Sequence, residues 1–161
     1  MTTATLGAAR PAFSLKTLVP GLVASVVLGI WEMMLEAVVG AGFWAPLVFI
    51  AATVLRNLQG VAVPVPFDLV AVMAGLIGHM MNSVIFGLIF TFLIAPRFRS
   101  LGGQVAAGAV YGIVIFAMMW FVVVPLADPV MLKLNVVVFF LGHMMWGALL
   151  GLLNHRITAA N

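Results

Sequence analysis

The sequence predicts an all-α integral membrane four-helix bundle, with a short interfacial or re-entrant helix between its first and second spans. Three observations predict it. Composition comes first: 65% of the 161 residues are hydrophobic and 7% are charged, with a mean hydropathy of +1.29. A soluble domain carries about a quarter charged residues. Seven basic and four acidic side chains cannot coat a water-soluble globule of this length, which excludes a soluble enzyme or a nucleic-acid-binding module. Second, four apolar stretches are each long enough to cross a hydrocarbon core, which takes roughly 20 residues of helix. Third, the polar residues inside those stretches recur in register with small ones. The chain reads as one transmembrane domain over residues 1–161, without cysteine and so without disulfides or thiolate metal sites.

The first span covers about 17–40, with Pro20 in its opening turn and Gly40-Ala41-Gly42 closing it. The stretch 43–59 is apolar only as far as Arg56, which is short for a span and suits an interfacial or re-entrant helix. Trp44 at its start fits the headgroup level. Two prolines, Pro64 and Pro66, in the stretch that begins at Gly60 mark an extended loop. The second span, 68–95, opens on Asp68 as an N-cap and stops at Pro96. The third, 104–125, follows Gly102-Gly103 and ends at Pro125. Asp128-Pro129 turns the chain into the fourth, 134–154, which Asn154 closes.

Basic residues favour four spans over five. With four, Arg10, Lys16, Arg97, Arg99 and Arg156 share one side, against Arg56 and Lys133 on the other. A fifth span at 43–59 makes the division nearly even. The positive-inside rule therefore places both termini in the cytoplasm. The first span is too long for the apolar core of a secretory signal and contains Glu32 and Glu36.

The second and fourth spans share a phrase. Gly78-His79-Met80-Met81 with Gly87 matches Gly142-His143-Met144-Met145 with Gly151. The first span holds Glu32-Met33-Met34 in the same frame. Met- and Gly-rich apolar segments produce such coincidences by composition alone, but the histidines occupy corresponding points of helices running the same way. At 1.5 Å per residue, His79 and His143 each lie roughly 15 Å below the outer ends of their spans, and Glu32 roughly 12 Å. Gly21, Ser25 and Gly29 lead into Glu32 and Glu36 on one helical stripe. Ala71, Gly75, His79, Ser83 and Gly87 form a second, with Asn82 beside it. Gly108 and Gly112 flank Tyr111, and His143, Gly147 and Gly151 complete the set. Small residues at four-residue spacing let membrane helices approach closely, so the polar residues on those stripes are expected to face inward.

A charged group at mid-membrane costs about 2.5–3.5 kcal/mol even on the lenient insertion scale, so its presence points to function. Glu32 and Glu36 need a proton, a metal, a protonated histidine or Arg56 as partner. Four readings follow. His79 and His143 could ligate haem b as axial imidazoles, in a redox-type membrane subunit. Glu32, Glu36, His79 and His143, with Asn82, could hold a transition metal. The same four could relay protons or pass a small solute. An accessory subunit could use its polar core, including Ser25, Ser83 and Tyr111, only to specify helix pairing. The paired methionines admit copper(I) but suit flexible packing better. No phosphate loop, zincin motif or hydrolase elbow argues for an enzyme.

In its order of features the chain resembles small bacterial inner-membrane proteins that carry a domain of unknown function. The matching pieces are the helix around Glu32, Pro46-Leu47-Val48-Phe49-Ile50-Ala51-Ala52, His79 through Phe90, Gly108-Ala109-Val110-Tyr111-Gly112, and His143 through Leu152. They cover most of residues 20–154. Members often carry a basic residue where Val48 stands here. The resemblance implies a four-helix protein of the bacterial inner membrane with buried histidines, and no particular reaction. The expected partners are the lipid bilayer and either another membrane protein or a second copy of the chain, with no nucleic acid.

Overall fold

The computed structural model describes residues 13–158, which are predominantly helical, with no strand among them. Arg10, one of the bases that favour four spans, lies outside the described residues. Among those described, six α-helices occur in order: α1 (Val19–Val39), α2 (Ala45–Ala52), α3 (Leu69–Ile89), α4 (Leu101–Met118), α5 (Val124–Ala127) and α6 (Val136–Thr158). With their adjoining turns they form four helices long and apolar enough to cross a membrane: Leu15–Val39, Leu69–Arg97, Leu101–Ala127 and Val136–Ile157. The protein is a multi-pass membrane bundle.

The ends follow local chemistry. Gly40 and Gly42 adopt φ of 141° and 99°, where a side chain would be strained, and close α1. Asp68 caps α3 by accepting from the Ala71 amide at 2.9 Å. α4 begins three residues before the expected position 104, because the Ser100 hydroxyl accepts from Gly103 N at 3.1 Å and caps it. α6 starts after Asn135, whose side-chain oxygen takes the Val137 and Val138 amides. It does not stop at Asn154, which turns inward and donates to the Gln104 side chain at 3.1 Å. The second and third spans each contain a π-helical turn near their ends, Phe90–Ile94 and Met119–Val123, just ahead of Pro96 and Pro125. A proline lacks its amide and crowds the carbonyl four residues back, and the wider turn absorbs both.

α3 packs on α1, α1 on α6, and α6 on α4, whereas the consecutive α3 and α4 barely meet along their backbones. The α4–α6 contact is made by backbone: a Cβ on Gly147 would fall 2.0 Å from the Gly108 oxygen, and one on Gly112 would fall 2.1 Å from the His143 oxygen. The stripes read from the sequence are the buried faces, including Gly21, Ser25, Gly29, Glu32 and Glu36 on α1 and Gly75, His79, Ser83 and Gly87 on α3.

The short helix expected between the first and second spans is present, though not over the whole of 43–59. α2 spans only 45–52 and is buried on nearly every side, with Ile50 alone partly exposed. It lies against α3, where Gly75 leaves room for the Leu47 backbone. An interfacial helix would keep a polar face towards water; this one has none and enters the protein.

A polar knot, unforeseen in the sequence, ties the segment after α2 to the turn at 128–133, and with α2 the two form a roof at this end of the bundle. The Thr53 hydroxyl donates to the Asp128 carboxylate at 2.8 Å, and the Gln59 side-chain amide donates to the same carboxylate and to the Ala52 oxygen. Gln59 accepts from Val130 N at 3.2 Å, and Lys133 donates to the Val61 oxygen at 2.9 Å. Arg56 does not reach the glutamates: it donates to the Ala127 oxygen at 2.6 Å, beside Asp128. Burial holds the Asp128 carboxyl above the usual carboxylate range, against its two donors and Arg56. A raised folded-state value stabilises the fold below the ordinary carboxylate value of about 4, and that contribution is lost as pH rises through the raised one. Thermal unfolding in detergent is therefore expected to show wild type losing stability relative to Asp128→Asn as pH rises from about 4 towards neutrality. Parallel curves would contradict it.

Candidate functional site

Most interior polar groups spend their hydrogen bonds between helices. The His79 Nε2 lies 2.9 Å from the Ser25 carbonyl oxygen, joining α3 to α1. The Ser83 hydroxyl donates to the Gly21 oxygen at 3.0 Å and accepts from the Trp146 indole at 2.6 Å, so one side chain ties three helices. Trp31 donates to the Val138 oxygen at 3.3 Å, linking α1 and α6. Tyr111 donates to the Phe86 oxygen at 3.1 Å, bridging the weak α3–α4 seam. Glu36 accepts from the Asn135 amide at 2.7 Å, which holds the start of α6 against the end of α1. These bonds pair helices, each contributing on average about 0.6 kcal/mol in a membrane protein.

Two buried carboxyls keep an oxygen unspent: Glu36 at Oε2, one turn outside the cavity, and Glu32 at Oε1, inside it beside His143. Glu32 is 4% exposed, and its Oε1 has no hydrogen-bond partner. That oxygen lies 3.9 Å from the His143 Nδ1, beyond hydrogen-bond reach, while Nδ1 meets the Phe139 carbonyl oxygen at 2.8 Å. Both side chains line a cavity of about 100 Å³. Glu32 and Leu28 contribute from α1, His79, Asn82, Ser83 and Phe86 from α3, and His143 and Trp146 from α6. Ile50, Thr53 and Met131 close it from the roof, and Met119 from the π-helical turn. Asn82 is exposed at the mouth, where α3 and α4 part.

The residues read from the sequence therefore divide. Glu32, His79, Asn82, Ser83 and His143 share one cavity. Glu36 sits one turn away, bound to the α6 backbone. Ser25 offers its carbonyl to His79, while its buried hydroxyl has no partner. Tyr111 packs, its ring tilted, against Phe90 and Trp146, and Arg56 belongs to the roof.

Haem does not fit this arrangement. The cavity is smaller than one of about 150 Å³ that admits benzene, so a porphyrin has no place between the helices. Nor do the groups gather as a metal cage: among the described residues no three His, Asp or Glu side chains are placed to hold a metal ion. What the cavity can do is hold a few waters or one small polar species against an uncommitted carboxyl and an imidazole. Comparison with known protein families, curated proteins and solved structures returns no match for the chain, so the functional reading rests on this site.

Proposed function

We propose that the protein moves protons or a small polar solute within the membrane, with Glu32 as the exchanging carboxyl and His143 as its neighbour. One observation carries the reading: the carboxyl that lines the cavity keeps a buried oxygen unspent beside an imidazole, while most surrounding polar groups are occupied in pairing helices. Glu36 also keeps one oxygen unspent, but it lies outside the cavity and its other oxygen holds the Asn135 amide. Glu32 is therefore the carboxyl that faces the cavity. Along α1, Glu32 lies nearer the Gly40 end, roughly 12 Å of helix away, where Ile50, Thr53 and Met131 close the cavity. The basic-residue distribution and the likeness to small bacterial inner-membrane proteins support that membrane as its location, with both termini cytoplasmic. An accessory role beside another membrane protein is the second reading, favoured by the many helix-pairing bonds.

Proteoliposomes loaded with a pH dye test the function. Under an imposed potential, wild type is expected to raise proton flux above empty vesicles, Glu32→Gln to abolish the increment, and His143→Gln to reduce it about tenfold. Flux equal in wild type and Glu32→Gln overturns the reading. The absence of cysteine makes orientation directly measurable. A cysteine at Gly60 is expected to react with an impermeant maleimide added outside cells, and one at Ser100 only after lysis. The reverse pattern overturns the orientation.

A further inference from the structure

The cavity wall has a hydrogen-bonding polarity of its own. A carbonyl oxygen only accepts, so the ring nitrogen facing it must carry the proton. His79 therefore spends its Nε2–H on Ser25, and its Nδ1 is left as an acceptor in the neutral ring. His143 spends its Nδ1–H on Phe139, leaving Nε2 as an acceptor. Other donors in the wall are also spent: the Trp146 indole on Ser83, the Ser83 hydroxyl on Gly21, and the Thr53 hydroxyl on Asp128. The Asn82 amide, at the mouth, is the exception. Against this stand the unpartnered Glu32 Oε1, two imidazole acceptors, and the thioethers of Met119 and Met131. Phe86, Phe139 and Trp146 supply aromatic rings, which attract cations over their faces.

A wall of acceptors with one carboxyl and aromatic rings complements a cation rich in N–H donors. We propose that the cavity is a binding site for a small primary ammonium ion, such as methylammonium, with Glu32 as its counter-ion and the free nitrogens of His79 and His143 as acceptors. This rests on the reading that the Glu32–His143 centre is the functional site, and it names that site's ligand class. Size agrees: about 100 Å³ takes an ammonium group with a short substituent. Charge balances without a metal, because one carboxylate meets one monovalent cation. Neutral amine could also take its proton from protonated Glu32, the N–H bond forming as the O–H bond breaks, to give the same pair.

Equilibrium binding of labelled methylammonium to the full chain in lipid nanodiscs tests the assignment. Saturable binding is expected in wild type. It should weaken at least tenfold in Glu32→Gln and severalfold in His143→Phe, and persist in Glu36→Gln. Tetramethylammonium, of equal charge but without N–H donors, should not compete. No saturable binding, equal binding by monodisperse Glu32→Gln, or full competition by tetramethylammonium each overturns the assignment. Glu32-dependent proton flux without methylammonium binding would reject this ligand and leave the proton reading standing. Binding without such flux would support the site and reject proton movement.

Discussion

Gly147→Leu is expected to prevent the bundle from assembling. A Cβ at this position would lie 2.0 Å from the Gly108 oxygen and 2.9 Å from the Gly112 amide nitrogen, both backbone atoms of α4. No rotamer relieves a clash at Cβ, so α4 and α6 must separate. That separation breaks the Asn154–Gln104 bond and opens the reciprocal contacts at Gly112 and Gly151. Overpacking a core costs about 1–3 kcal/mol when side chains can adjust; here backbone must move, and a loss of roughly 3 kcal/mol or more follows. Size-exclusion profiles in mild detergent should show aggregation or loss of the monodisperse peak. Gly102→Leu is the matched control, since a Cβ there would have nothing within 4 Å, and it should purify normally. A monodisperse, thermally unchanged Gly147→Leu protein would contradict the packing.

Gly75→Val is expected to do something more selective. Its Cβ would meet the Leu47 oxygen at 1.9 Å, so α2 must leave its seat on α3. The close helix contacts α1–α6 and α4–α6 do not involve Gly75 and should survive, preserving helical content. Hydrogen exchange at residues 45–52 should rise by about a hundredfold or more, because the buried roof helix becomes exposed. Its loss also uncovers the cavity, and any Glu32-dependent proton flux should become a larger leak. Unchanged protection over 45–52 would contradict the docking of α2.

The spans are legible in the sequence because a bilayer imposes a length, and the stripes because close helix approach demands small residues. Gly147 and Gly75 announce both. The roof is not legible. Thr53, Gln59 and Asp128 meet across about 70 positions of chain, and no local periodicity records such a pairing. Arg56 illustrates the consequence: the cost of a mid-membrane carboxylate makes it one candidate partner for the glutamates, but its guanidinium is held by the Ala127 carbonyl. Asn154 reads as a helix end because polar residues usually mark exits, yet it is buried against Gln104. The gathering of Glu32, His79 and His143 is foreshadowed by their common depth. Which of their atoms are already spent is fixed only by tertiary geometry, and that geometry disfavours haem and favours a small donor-rich species.

Infrared difference spectroscopy between acid and alkaline pH observes the carboxyl groups themselves, and so reaches the exchanging group without a transport assay. With Glu32 in that role, a protonated-carboxyl band should change with pH, disappear in Glu32→Gln and remain in Glu36→Gln. Other carboxyls, Asp128 among them, contribute bands of their own. The contradicting result is therefore a difference spectrum identical in wild type and Glu32→Gln: Glu32 would then exchange no proton, and the proposed centre would fall.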